Sequence, residues 1–320
     1  MPIRSLVKSR VKFTFITLNL SVLAFFFLLL FSDSDKFLTA RLASVRKYGP
    51  PALTNESLEV QTREDYLVSL LGDQMFLYAS LLGIARAKNR QPLIEGGENL
   101  RKIFNISITK NYIRASGWPV LSTWRTEAAH AELPRINLTL RGQYQSWKYF
   151  HLVQEEIRRE FTFHPEIQNF ANQFYKNLRR LYPSLTFVVT FVGVHIYRGK
   201  VQRSVARKLI IAPLSYFTKA IKLMRSLLSG TALFIISSDD PLWCRENFSD
   251  QQDLIVLDSG PAAGHLAILA STTHLIISTG SFGWWAAWLA DGATIYYNNV
   301  NNQTSTESEY FPHKWIGIRD

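Results

Sequence analysis

Short apolar stretches rich in β-branched residues recur along the second half of the chain and set its predicted secondary structure. They occupy residues 185–194, 232–236, 254–257, 275–277 and 294–297. Runs of this length and composition are typical of strands buried on both faces of a parallel sheet. Segments with helical character separate them, at residues 216–228, 263–271 and 284–290. This alternation predicts βαβ crossovers and therefore a Rossmann-like α/β architecture.

A longer apolar stretch lies near the N-terminus, where Phe13 to Phe31 contains no charged residue. A helix of this length spans the roughly 30 Å hydrocarbon core of a bilayer. Basic residues precede the stretch and acidic residues follow it, which predicts a cytosolic tail at residues 1–12, one transmembrane signal anchor at 13–31 and a lumenal remainder. A cleaved signal peptide is the alternative, but its apolar region usually has about 7–15 residues and ends in a small-residue cleavage site that this stretch lacks.

The lumenal part is predicted to begin with a stem at residues 32–63, which mix charged, proline and polar residues without a sustained apolar period. The roughly 250 residues that follow are enough for two packed α/β units. We assign them to an N-terminal half at residues 64–180 and a C-terminal half at residues 181–320.

Charge narrows the class of partner. The formal net charge is +11, but four of the positive charges belong to the predicted cytosolic tail. Because the rest of the chain has no basic run and no recognisable nucleic-acid module, we expect no nucleic-acid partner and favour an anionic small ligand. Cys244 is the only cysteine, which excludes an intrachain disulfide.

Glycosylation sequons fit exposure to the lumen. They occur at Asn55, Asn105, Asn137, Asn247 and Asn302. A further sequon at Asn19 lies inside the predicted membrane span and should remain unmodified.

Polar residues and glycines follow three of the predicted strands, in the segments 195–200, 237–240 and 278–283. In an open parallel sheet, ligands bind beyond the carboxyl ends of the strands, so these segments form the candidate site. The Arg198 guanidinium would supply fixed charge to a phosphate, and backbone N–H groups of the turn at residues 279–283 would bind its oxygens. Asp239 and Asp240 would accept hydrogen bonds from sugar or ribose hydroxyls.

Each of these residues also has a purely structural interpretation. His195 and Arg198 would then end a strand in solvated polar contacts. Asp239 and Asp240 would begin a helix as an N-cap. The turn containing Gly280 and Gly283, whose glycines permit close backbone approach, would be only a tight connection.

Six groups of residues, in this order, resemble the galactoside α-1,2-fucosyltransferase family. They are LGDQM (71–75) with YAS (78–80), QSWKYF (145–150), VGVHI (192–196) with Arg198-Gly199, SDD (238–240) with Trp243-Cys244, IISTGSFGWWAA (276–287), and YFP (310–312) with WIG (315–317). The resemblance covers about residues 66 to 318.

The resemblance implies an inverting glycosyltransferase on a GT-B-like scaffold of two Rossmann-like halves, behind one transmembrane helix. Such an enzyme moves L-fucose from GDP-fucose to the 2-hydroxyl of a terminal galactose on glycoprotein or glycolipid glycans, without a metal or other cofactor. It implies a single-pass type II protein of the Golgi membrane, with the catalytic domain in the lumen. It also implies that Gly72, Asp73 and Gln74 lie on the acceptor side, and that residues 181–320 bind GDP-fucose.

The resemblance assigns catalytic roles to His195 and Arg198. Arg198 matches the second arginine of the family's HxRRxD signature and inherits contact with the pyrophosphate, while His195 inherits a nucleotide-positioning role. The donor-binding residues are then His195, Arg198, Asp239, Asp240, Thr279, Gly280, Ser281, Phe282 and Gly283. Without a metal, protein cations must neutralise the charge that develops on the leaving diphosphate.

The chain departs from the family pattern at four positions. Tyr197 replaces the first arginine of the signature, Lys200 its aspartate, Asp73 the asparagine of a GLGNQ phrase, and His265 an acidic residue. A second interpretation is therefore a catalytically impaired relative that binds glycan or nucleotide sugar, or partners another transferase. Asp73, Glu95 and Glu98 are acidic candidates for a general base, but residues of this kind are more often solvated or capping residues, so the general base is left unassigned.

Overall fold

The computed structural model describes residues 64–94, 98–108, 119–121, 136–140, 144–181, 189–199, 211–298 and 307–320. The chain divides into two compact units, Met1–Asn55 and Glu56–Asp320, and every described residue lies in the second. The predicted tail, membrane span and stem therefore lie outside the described residues. No helix in the described ranges has both the length and the hydropathy to cross a membrane.

The N-terminal part of the second unit is mainly helical. It contains helices α1 (Glu64–Ala87) and α2 (Glu98–Ile103), the short parallel strands β1 (Val120–Leu121) and β2 (Thr139–Leu140), and helices α3 (Gln154–Glu160) and α4 (Pro165–Leu181). Two short 3₁₀ turns, Trp147–Tyr149 and His151–Val153, precede α3. Within the described part of residues 64–181, the only ladder is the pair of β1 and β2.

The C-terminal part alternates strands and helices. Its elements in chain order are β3 (Val189–Ile196), α5 (Leu214–Leu227), β4 (Thr231–Ser238), α6 (Pro241–Asn247), β5 (Leu254–Val256), α7 (Ala262–Ala270), β6 (His274–Ile277), α8 (Ser281–Ala290), β7 (Thr294–Tyr297), α9 (Glu307–Tyr310) and β8 (Ile316–Ile318).

These strands form one parallel sheet in the order β5-β4-β3-β6-β7-β8. Numbered from β3, this is the strand order 3-2-1-4-5-6 of the dinucleotide-binding fold, and the order reverses between β3 and β6. The predicted α/β fold with parallel strands and helical crossovers is therefore confirmed. The carboxyl ends of β3 and β6 mark the place where such sheets bind ligands.

Three predicted boundaries at this edge were wrong, namely the ends of β3 and β4 and the start of α8. His195 belongs to β3, which continues to Ile196, because the ladder with β4 extends through the pairs His195–Ser237 and Ile196–Ser238. Residues 281–283 do not belong to the connection between β6 and α8 but form the first helical turn of α8. The helix begins there because Gly280, with φ of 100°, adopts a conformation that favours glycine and redirects the chain.

The two faces of the sheet carry separate cores. In β3, Val192, Val194 and Ile196 point to one face and pack with α5, as expected from the two-residue period of a strand. His195 consequently points to the opposite face, which α7 and α8 cover. A polar residue thus sits inside a buried strand, directed at the first turn of α8.

Helix α8 is buried almost along its whole length because it packs on β6 on one side and on α1 on the other. Trp284 and Trp285 lie 4.5 and 5.0 Å from the ring of Phe76 in α1. The Trp285 indole donates a hydrogen bond to the carbonyl of Gly72, at 3.0 Å. This packing brings the segment 72–74 of α1 against the start of α8.

Candidate functional site

His195 presents a buried, neutral imidazole to the start of α8. The residue is 7% exposed, and its ring centroid lies 5.3 Å from that of Phe282. Burial lowers the pKa of His195 to about 4. Its Nδ1 atom is buried and has no hydrogen-bond partner.

Arg198 follows β3 and is fixed at its backbone and at its side chain. Its backbone N–H donates to the Asp239 carboxylate at 2.6 Å. Its guanidinium carbon lies 4.0 Å from the centroid of the Trp243 ring. The Nε atom of Arg198 is buried and has no partner.

The connection from β6 to α8 supplies a third unpaired polar group. The Thr279 hydroxyl oxygen is buried without a hydrogen-bond partner. Gly280 is the N-cap of α8 and offers no side chain to its first turn. Because the N-terminus of a helix attracts anions, this end of α8 suits a phosphate.

These three groups lie at one edge of the sheet. The Ser278 N–H donates to the His195 carbonyl at 3.1 Å, and the Tyr197 N–H donates to the Ser278 hydroxyl at 2.9 Å. The segments after β3 and β6 are thus held together where the strand order reverses. Buried polar atoms without partners are rare in native proteins, so their grouping at this edge indicates a site for a polar ligand.

The Asp239-Asp240 pair has structural partners. Asp240 is the N-cap of α6, and its carboxylate accepts a hydrogen bond from the Trp243 N–H at 3.2 Å. Asp239 accepts the Arg198 N–H described above. Both side chains lie at the edge that carries Arg198. Their contact with a sugar or ribose hydroxyl stays a prediction.

Two of the predicted acceptor-side residues meet α8 directly. The Asp73 carboxylate accepts hydrogen bonds from the Ser281 hydroxyl and the Gln145 amide, each at 2.7 Å. A Cβ on Gly72 would lie 2.6 Å from the backbone carbon of Ser281, so glycine permits this close approach. Gln74 is half-buried on the same helix. The structure therefore brings the predicted acceptor side next to the predicted donor side.

The other acidic candidates for a general base are placed differently. Glu98 is exposed in the first turn of α2. Glu95 lies outside the described residues, as does Lys200. Two of the three candidates, Asp73 and Glu98, lie among the described residues. Of these two, only Asp73 contacts α8.

The remaining altered positions also lie near this edge. Burial, and after it the charge of Asp239, raises the pKa of the Tyr197 phenol. The His265 ring lies 3.1 Å from the Ser237 hydroxyl through Nδ1 and 3.2 Å from the Ser259 carbonyl through Nε2. Burial lowers the pKa of His265.

The sequence did not reveal that the Trp243 ring contacts the Arg198 guanidinium. The resemblance places Trp243 in the family phrase around residues 238–244 and gives it no role. The available signal was its position three residues after Asp240, where an N-capping aspartate fixes the following helical turn. Its contact with Arg198 depends on the neighbouring positions of β3 and β4, which local sequence does not reveal.

The predicted glycosylation sites that the structure describes lie at its surface. Asn105, Asn137 and Asn247 are exposed, and Asn55 and Asn302 lie outside the described residues. In the part of the chain that the structure describes, no three His, Cys, Asp or Glu side chains are grouped as metal ligands.

A Rossmann-like sheet whose switch point carries an arginine and a helix N-terminus defines an α/β protein suited to a phosphate-bearing ligand. The sequence model of glycosyl transferase family 11 matches residues 42–319. The chain belongs to this family, which confirms the resemblance found in the sequence.

Curated relatives agree with this assignment. The chain is 31% identical over 268 residues to galactoside 2-alpha-L-fucosyltransferase Sec1 of Mus musculus, covering 78% of this chain and 71% of the relative. It is 32% identical over 273 residues to galactoside alpha-(1,2)-fucosyltransferase 2 of Bos taurus, covering 78% and 77%. It is 33% identical over 272 residues to galactoside alpha-(1,2)-fucosyltransferase 1 of Sus scrofa, covering 77% and 72%.

Among solved structures, the chain is similar to NodZ alpha-1,6-fucosyltransferase soaked with GDP-fucose. The sequence identity is 14% and the TM-score 0.49, over 72% of this chain and 92% of that chain.

Proposed function

We propose that this chain is a galactoside 2-alpha-L-fucosyltransferase. It moves L-fucose from GDP-fucose to the 2-hydroxyl of a terminal galactose on glycoprotein or glycolipid glycans. Its membership of glycosyl transferase family 11 and the names of its relatives support this activity. The observation that carries the proposal in the structure is the grouping of unpaired polar atoms of His195, Arg198 and Thr279 at the switch point of the sheet.

The donor diphosphate would lie between Arg198 and the start of α8. The guanidinium supplies a fixed positive charge, and the helix N-terminus and the Thr279 hydroxyl supply hydrogen-bond donors. The buried, neutral His195 beside them would position the nucleotide rather than neutralise it. Such preorganised groups stabilise the charge that develops on a leaving group without reorganising during the reaction.

Transfer with inversion requires the acceptor to approach from the other side. The galactose 2-hydroxyl oxygen bonds to C1 of fucose as the C1–O bond to the diphosphate breaks. GDP leaves with the bonding electron pair, and the proton of the 2-hydroxyl passes to a base or to water. On a GT-B-like scaffold, the part of the chain that contains α1 would form the acceptor side. The contact of Asp73 with Ser281 supports this arrangement because it brings α1 next to the donor edge.

We propose further that the reaction needs no metal or other cofactor. In the sequence, Asp239 and Asp240 are adjacent and do not form a DxD phrase. Arg198 and the N-terminus of α8 would then carry the neutralising role alone.

The proposed location is the Golgi membrane, with a type II orientation and a lumenal catalytic part. The apolar stretch 13–31, its basic N-terminal flank and the sequons support it. Glycosidase treatment of microsomal protein should increase its gel mobility, and alkaline carbonate should leave it in the membrane. An unchanged mobility together with extraction by carbonate would contradict this topology.

The activity is tested with the full-length chain solubilised from membranes, GDP-fucose and an acceptor that ends in β-galactose. We expect a product heavier by one fucose, with the new linkage at the 2-hydroxyl. Arg198→Ala should lower turnover by about 10²–10³, the effect of losing one transition-state contact. Arg180→Ala, at an exposed position of α4, should not. No product from the unaltered chain would refute the proposed activity.

A further inference from the structure

The guanidinium of Arg198 rests on an aromatic ring. Its central carbon lies 4.0 Å from the centroid of Trp243, well within the range of a cation–π interaction. Its Nε atom is buried and has no partner. The ring therefore holds the charge from one face while this N–H remains unused.

An aromatic partner differs from a carboxylate partner in what it leaves free. A carboxylate would accept the guanidinium N–H groups in pairs and cancel its charge. The face of an indole attracts the cation without accepting hydrogen bonds in the guanidinium plane. A guanidinium held by a ring thus keeps its donors and its charge for an anion with several oxygens.

Trp243 is itself firmly held in α6. Its backbone N–H donates a hydrogen bond to the carboxylate of Asp240. Its backbone carbonyl accepts a hydrogen bond from the Asn247 side-chain amide, at 2.8 Å. Its ring meets Phe248 edge-on, with centroids 6.1 Å apart and planes at 82°. These contacts hold both its backbone and its side chain, so the ring is a preorganised support for Arg198.

We propose that Trp243 is a positioning residue for the sugar-nucleotide donor, acting through Arg198. The Trp243 ring fixes the guanidinium at the carboxyl edge of β3, so that its N–H groups meet the diphosphate without a search through other rotamers. Asp240, as the cap that fixes Trp243, belongs to the same support. This inference rests on the proposed function, in which Arg198 contacts the donor diphosphate.

The first test measures the affinity of the full-length solubilised chain for GDP by calorimetric titration. Trp243→Leu keeps apolar bulk but removes the aromatic face, and should raise the Kd for GDP about tenfold, the size of a partly desolvated cation–π interaction. Trp243→Phe should fall between the unaltered chain and Trp243→Leu because phenylalanine binds cations less strongly than tryptophan. Leu242→Ala, at a 61% exposed position of the same helix, should leave the Kd unchanged.

The second test is a double-mutant cycle, which separates an effect through Arg198 from a general loss of structure. In an Arg198→Ala background, Trp243→Leu should weaken GDP binding no further. An equal loss in both backgrounds would show that Trp243 acts by another route and would overturn the inference.

The outcomes also separate this inference from the proposed function. If Arg198→Ala weakens GDP binding but Trp243→Leu and Trp243→Phe do not, only the positioning role fails. If Arg198→Ala leaves GDP affinity intact, the diphosphate contact fails and the positioning role falls with it. Thermal unfolding of each variant shows whether it folds. If Trp243→Leu does not fold, the Kd of Trp243→Phe for GDP decides whether Trp243 has the positioning role.

Discussion

The backbone of Gly283 lies directly against the imidazole of His195. A Cβ on Gly283 would lie 2.5 Å from His195 Nδ1 and 2.9 Å from Cγ, closer than non-bonded carbon atoms approach. The absence of a side chain therefore lets the first turn of α8 pack on the end of β3. These two elements flank the switch point, so this contact lies beside the proposed donor site.

We expect Gly283→Ala to disturb the donor site as well as the fold. The new methyl must displace the buried His195 ring or the start of α8, and such overpacking typically costs about 1–3 kcal/mol of unfolding free energy. Because both elements carry proposed donor contacts, the affinity for GDP should also fall, as measured by calorimetry.

The matched control is Gly264→Ala in α7. There a Cβ would lie 2.6 Å from the Phe170 ring, so this variant also overpacks the core but on the side of α4. It should lose stability and keep its affinity for GDP. Equal affinity for GDP in both variants would contradict a donor site at the Gly283–His195 contact.

His195 should make stability depend on pH. Burial lowers its pKa in the folded protein to about 4 from an ordinary value of 6.5. Between these values the unfolded chain binds a proton that the folded chain excludes, so the free energy of unfolding falls as pH falls from about 6.5 to 4. The total decrease from this group is about 3 kcal/mol, at about 1.4 kcal/mol for each unit of pKa difference.

The measurement is urea denaturation of the unaltered chain and of His195→Asn at pH 7 and pH 4.5. The variant should lose less stability between the two pH values because it lacks the titrating ring. Some dependence should remain, since burial also lowers the pKa values of His265 and His274. The same pH dependence in both proteins would contradict a buried, neutral His195.

Five of the six strands of the sheet could be predicted because they are apolar runs, whereas the edge strand β8, whose three residues are exposed or half-buried, was not predicted. Strand β7 has the predicted bounds, residues 294–297, since a short run of large apolar residues has few other stable environments. Prediction failed at His195, a polar residue that stays in the strand because Gly283 leaves room for its ring. The hydrophobic pattern identifies apolar positions, but it does not show which polar side chain the folded core has room for.

The candidate site was predicted only in part, because the sequence shows where strands end but not which distant residues meet there. His195, Arg198 and Thr279 were found because parallel strands end at one edge. The contacts of Asp73 with Ser281 and of Arg198 with Trp243 were not found. The first joins residues 208 positions apart, and the second depends on α6 lying beside the end of β3. Neither leaves a periodic signal in the sequence.

We expect catalysis to survive removal of divalent metal ions. If Arg198 and the N-terminus of α8 neutralise the leaving diphosphate, excess chelator should leave the initial rate nearly unchanged. The rate is measured with GDP-fucose and a galactoside acceptor before and after chelation. A large loss that manganese restores would contradict the metal-independent proposal.

Tyr197 offers a test of whether charge limits the rate. Its backbone N–H is bound to the Ser278 hydroxyl, which fixes the residue beside Arg198, and the raised pKa of its phenol keeps the side chain neutral. Tyr197→Arg would place a second guanidinium at the leaving group. If the missing charge limits turnover, the rate should rise tenfold or more, since about 1.4 kcal/mol of barrier is one decade.

Tyr197→Phe, which removes the hydroxyl and adds no charge, should leave the rate near that of the unaltered chain. An active parent whose rate does not rise in Tyr197→Arg would show that the site already stabilises the diphosphate sufficiently with the single guanidinium of Arg198 and its neighbours.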